Sequence, residues 1–172
     1  MRMDMMGSKQ LQQGAGLTEV MVALLLLSIG VMGFVGLQVR ASTTGGDAFA
    51  RTQAMAIAQD LAERVRLNSK QMAFYTTAAN WRDGGDISAC ETADCTPAQV
   101  AQYDMDNVVN SAATLLSNGQ VRMQQCTGSL ANCIYVSWDD TTPTVGGGDN
   151  DCVTNDGVYR NSAACVMMEA YQ

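Results

Sequence analysis

The chain has 172 residues, with 17 Asp or Glu against 10 Lys or Arg and a formal net charge of −7. A body this acidic is a poor electrostatic match for nucleic acid or an anionic lipid surface. It has no histidine, which excludes histidine-dependent catalytic triads and the commonest catalytic zinc ligand sets.

Residues 1–14 form a short polar leader with Arg2, Lys9 and Asp4, ending at Gly14. Beyond Glu19 the run Val20–Val39 is uncharged. At about 1.5 Å per residue those 20 residues just span a hydrocarbon core of roughly 30 Å. A secretory signal is cut after its apolar stretch, which is then discarded. Here the plausible cut lies before the stretch, so the mature protein keeps it. The order resembles the class III signal of type IV prepilins. That resemblance implies cleavage after Gly14, N-methylation of the new terminus at Ala15, and a glutamate, Glu19, four residues further on. Loss of the leader, net +1, leaves 158 residues and takes the charge from −7 to −8. The expected division is a leader over 1–14, a membrane or filament-core helix over 15–39, and a globular domain over 40–172.

Glu19 is the sharpest candidate site. A carboxylate in a membrane-embedded helix costs on the order of 3 kcal/mol on insertion scales, so function is the default reading. The plainer alternative is that Glu19 complements the helix N-terminus at the interface. Gly30, Gly33 and Gly36 recur at three-residue steps and permit close helix packing, although glycine is also simply common in such helices.

Gly45-Gly46 interrupts the helical pattern, each glycine costing roughly 1 kcal/mol relative to alanine. After it Ala50, Ala54, Ile57, Ala58, Leu61 and Val65 recur at three- and four-residue steps, an amphipathic helix to about Asn68. The whole helical stretch would be about 80 Å long. Residues 69–95 are mixed, with turn signals at Asp83-Gly84-Gly85-Asp86. A second helix starts at Thr96 as N-cap, with Pro97 at the first position and Gln99 completing a capping box. Its apolar face runs through Ala101, Met105, Val108, Ala112 and Leu115, and Asn118-Gly119 ends it.

Alternation in QVRMQ (Val121, Met123) and IYVSW (Ile134, Val136, Trp138) predicts two strands joined by the loop CTGSLANC. Residues 139–157 are Gly- and Asp-rich and are expected to form a long loop. A last strand over Cys165–Tyr171 would put Val166, Met168 and Ala170 on one face. A long N-terminal helix with a small antiparallel sheet is an α+β fold.

Six cysteines, Cys90, Cys95, Cys126, Cys133, Cys152 and Cys165, all follow the apolar stretch. An even count in one extracytoplasmic block reads as a disulfide framework in an oxidising compartment. Spacings of C-x4-C, C-x6-C and C-x12-C without a tight C-x2-C or a histidine argue against metal. Sequential pairing is expected, because each successive pair brackets a short loop. Asp149, Asn150, Asp151 and Asp156 could offer oxygens to calcium, but Gly146–Gly157 does not match the EF-hand loop, and a solvated turn is expected. No cofactor is implied. No nucleophile–base pair, phosphate-cradling loop or paired-carboxylate motif stands out, so the chain does not read as an enzyme.

Three blocks carry a resemblance: GAGLTEVMVALLLLSIGVMGFVGLQ, then AMAIAQDLAERVRLN (Ala54–Asn68) with its Arg64-x-Arg66-x-Asn68 pattern, and more loosely YVSWDD with the Cys90/Cys95 loop. They resemble type IV pilus minor pilins, most similar to the PilV family. Ala15 stands where phenylalanine or methionine is usual, and the proline of many major pilins is absent from the helix. The resemblance implies a type IV pilin fold and a single-pass inner-membrane protein of a Gram-negative bacterium. Prepilin peptidase would process it, and the assembly platform would pass it into a fimbrium. Its partners would be other minor pilins and the major pilin, with roles in priming assembly, twitching motility and tip adhesion. Glu19 would neutralise a neighbouring subunit's N-terminal amine and set axial register. Two rivals remain: a type II secretion pseudopilin, and a signal-anchored surface adhesin or hydrolase.

Overall fold

The computed structural model describes residues 16–82, 90–91 and 94–170. Gly14 and Ala15, and with them the processing site, lie outside the described residues. Helix α1, Leu17–Leu67, runs without a break through Gly45-Gly46, which corrects the expected interruption. The nearby Thr43 and Thr44 hydroxyls donate to Arg40 O, both at 3.0 Å, and the Thr52 hydroxyl to Ala48 O at 2.9 Å. Extension of a nucleated helix needs only one bond per residue. Two glycines are too small a cost to stop it.

The chain divides between Gly45 and Gly46 into two compact units. The first contains the apolar half of α1, whose side chains are exposed throughout. It lies in the one described helix long and apolar enough to cross a membrane, by length and composition.

The second unit holds everything after Gly46. Along α1 it buries Ala54, Ile57, Ala58, Leu61 and Val65, the face the periodicity predicts. The segment after α1 is two single 3-10 turns, Ser69–Gln71 and Ala78–Asn80, flanking the short helix α2, Met72–Thr76. Elements of three to five residues carry no hydrophobic period, so the sequence showed only mixed character there. Helix α3, Pro97–Leu115, begins with the expected capping box. Gln99 Oε1 accepts from Thr96 N at 2.9 Å, and Gln99 N donates to Thr96 Oγ1 at 3.4 Å.

The end of α3 differs in one residue. Leu116, in extended conformation at the C-cap, is the leucine that is buried, and Leu115 is half exposed. Leaving the helix rotates the next side chain inward. Asn118 then adopts φ 51°, and a Cβ on Gly119 would stand 2.1 Å from Ala112 O, so the stop needs both residues.

Strands β1 (Gln120–Gln125), β2 (Asn132–Ser137) and β5 (Cys165–Ala170) form an antiparallel sheet in the order β1-β2-β5. One face packs Val121, Met123, Ile134, Val136, Val166 and Ala170 against α1 and α3. Arg51 of α1 reaches over the Trp138 ring at 5.5 Å and donates to Cys165 O at 3.4 Å. At about 25 cal/mol per Å² of apolar surface, each fully buried Leu or Met contributes roughly 1.5–3 kcal/mol.

The opposite face has its own small core of Cys133, Tyr135, Cys152, Val153 and Cys165. Its lid corrects the long-loop expectation for 139–157. Strands β3 (Thr142–Val145) and β4 (Asp151–Val153) pair in parallel as a two-stranded sheet. The pairing is too short to show an alternation, and its polar atoms satisfy one another. Thr142 N donates to Asn150 O at 2.7 Å, and Gly146 N to Val153 O at 3.1 Å.

Candidate functional site

Glu19 sits in the first turn of α1, where Glu19 N and Val20 N both reach Gly16 O, at 2.9 and 3.2 Å. Its side chain is exposed among exposed apolar neighbours. A carboxylate there complements the helix N-terminus and is free to meet another chain. A Cβ on Gly30, Gly33 or Gly36 would find nothing within 4 Å, so these positions leave the backbone open to close approach.

The cysteines pair as Cys90–Cys95, Cys126–Cys133 and Cys152–Cys165, with Cα separations of 5.7, 5.0 and 5.8 Å. Cys126–Cys133 clamps the β1–β2 hairpin at its base. Cys152–Cys165 ties β4 to β5 inside the second core.

In the Gly- and Asp-rich turn, Asp151 accepts from the Thr144 hydroxyl and from Gly148 N. The Thr144 hydrogen bond, helped by Gly148 N–H and the Arg160 charge against some desolvation, holds the Asp151 carboxyl below its usual range. Its oxygens bind their own turn. Among the described residues no group of three or more His, Cys, Asp or Glu is poised around a metal position.

The Arg64-x-Arg66-x-Asn68 pattern acquires a physical meaning. Arg64 Nε bonds Asp60 Oδ2 at 2.9 Å, and its Nη1 reaches Asp104 Oδ1 of α3 at 3.2 Å. The Tyr75 hydroxyl of α2 donates to Asp104 Oδ2 at 2.7 Å. Asn68 Nδ2 donates to Pro97 O at 2.8 Å and reaches Tyr75 Oη at 3.4 Å. Asp104 is 6% exposed, and Tyr75 is fully buried. This clamp locks the end of α1 to α2 and to the start of α3. Partial burial opposes the Arg64 charge, but the two aspartates outweigh it and raise its pKa. Burial, then the hydrogen bond and charge of Asp104, push the Tyr75 phenol up. Arg66 lies outside the clamp, exposed and 3.9 Å from exposed Glu63, a pair worth little.

Asp104 and Tyr75 were not singled out from the sequence. A signal existed: Asp104 falls three residues after Ala101 and four before Val108, an acid inside the apolar stripe of α3. An acid so placed needs a cation and a donor nearby.

An apolar, fully exposed helical stretch and a disulfide-stapled α+β unit define the class of a membrane-anchorable protein built on one long helix. Within that class the family model for the type IV pilin Tt1218, the Tt1218-like family, matches residues 36–106. That stretch is similar to the Tt1218-like type IV pilins, and it contains the whole clamp. No curated protein and no solved structure matches it.

Proposed function

We propose that the protein is a minor pilin of the PilV kind, a structural subunit of a type IV pilus that helps initiate assembly. The observation that supports this best is α1 itself: one helix begins with an exposed apolar stretch carrying Glu19 and ends in a face buried by a type IV pilin-like unit. In this reading prepilin peptidase cuts after Gly14, Ala15 becomes the methylated terminus, and the apolar half of α1 anchors the subunit in the inner membrane. The half then moves into the filament core beside the major pilin and other minor pilins. Glu19 meets a neighbouring subunit's N-terminal amine, a contact that specifies register. The disulfides suit a domain exposed on the cell surface, near the filament tip, where adhesion takes place.

Mass spectrometry of sheared pili tests the reading. The expected species begins at Ala15, carries one added methyl group and contains no free thiol. A chain found in the membrane with its leader intact, or absent from sheared filaments, would overturn it.

A further inference from the structure

Beyond Gln71 the sequence has only three basic residues, Arg82, Arg122 and Arg160, against 12 Asp or Glu. Two of the three, Arg82 and Arg122, line one cavity of about 150 Å³ at the β1 edge, walled by Trp81, Val109 and Pro143. Like charges placed together in an acidic domain need a counterion. Arg82 has one: its Nη2 lies 3.3 Å from Asp106 Oδ2, and Asp106 is 3% exposed. Gln102 Nε2 takes the other Asp106 oxygen at 2.7 Å, so that carboxylate is spent on fixing Arg82. More than half of the Arg82 side chain stays exposed, with donors to spare.

Among the described residues Arg122 has no such partner. Its Nε is closed to solvent and makes no hydrogen bond, and no ion pair to it is found among the described residues. An unmade bond on a buried charged donor is costly. The cavity that Arg122 lines, about 150 Å³, has room for a small oxyanion and not for a nucleotide. Trp81 is pinned, its indole N–H donating to Tyr75 O at 2.7 Å, so it forms a fixed wall. Guanidinium forks match carboxylate and phosphate oxygens in pairs.

We propose that the Arg82–Arg122 cavity is an oxyanion site, which takes a single carboxylate or phosphoryl group. The test uses the full-length protein in detergent, titrated with sodium phosphate or sodium acetate against chloride at constant ionic strength. Tryptophan fluorescence and the unfolding midpoint are the readouts. Wild type should show a saturable response in both. Arg122→Gln should melt no lower than wild type without anion, since a like charge is gone, and should bind about tenfold more weakly or worse. Arg122→Lys, which keeps the charge and loses the fork, should fall between. A response to phosphate alone assigns the site to phosphoryl groups, and a response to both anions extends it to acidic side chains. Absence of a saturable response in wild type, or an equal response in Arg122→Gln, would overturn the proposal.

Discussion

Asp104 shows how one side chain can organise a fold. A carboxylate at 6% exposure is tolerable only because Arg64 and Tyr75 both reach it. Tyr75→Phe removes one of the two while preserving shape, and should lower stability by about 1–3 kcal/mol. Thermal unfolding at neutral pH measures this directly. The same phenol predicts an alkaline limit. Its folded pKa is raised by burial and by Asp104, so the stability it contributes is fully present below the ordinary tyrosine value of about 10. That contribution is lost as pH climbs above it, because the unfolded chain ionises first. Midpoints compared between pH 8 and 11 should fall less steeply in Tyr75→Phe than in wild type. Parallel slopes would show that Tyr75 does not carry the alkaline transition. Arg64 and Asn68 were visible in the sequence as a pattern. Their partners were not, because a spatial cluster drawn from three helices leaves no fixed spacing.

At the scale of elements, what was legible depended on length and on local chemistry. The capping box of α3 and the α1 face at Ala54–Val65 are properties of neighbouring residues, and both formed as the sequence implies. The β1–β2 hairpin was readable for the same reason: two alternating runs are held at the loop by Cys126 and Cys133. Strands β3 and β4 were hidden, since a pairing of three or four residues looks like a polar loop until Cys152 and Val153 are seen facing a core. The disulfides rank by loop length in the chain-entropy model, from about 2 kcal/mol for Cys90–Cys95 to about 3 kcal/mol for Cys152–Cys165. Cys152 and Cys165 are also buried, so replacing both with alanine adds a cavity cost. Paired alanine variants should therefore lower the unfolding midpoint most at Cys152/Cys165, then at Cys126/Cys133, and least at Cys90/Cys95. If Cys90/Cys95 proved the most damaging, loop length would not be what sets the order.

The whole molecule separates two tasks along one helix. The apolar half of α1 leaves its side chains exposed, whereas one face of the half beyond Gly46 is buried in the core of its own unit. Substitutions in the two halves should therefore fail differently. Glu19→Ala removes a charge that costs on the order of 3 kcal/mol in a bilayer, so membrane insertion should be intact or improved. Glu19 is exposed and belongs to the first unit, so the unfolding midpoint of the second should stay at the wild-type value. In a strain lacking the gene, surface pili and twitching should drop while the major pilin stays abundant in the membrane, and Glu19→Ala should not restore them. Tyr75→Phe should show the reverse: a lower midpoint, yet piliation close to normal while the unit remains folded at growth temperature. Shear preparations from the deletion strain carrying each variant, set beside melting curves, read both axes at once. A membrane-anchored enzyme or adhesin predicts normal piliation without the protein and a silent Glu19→Ala. Normal pili in the deletion strain would refute the assembly role, and restored piliation by Glu19→Ala would remove Glu19 from it.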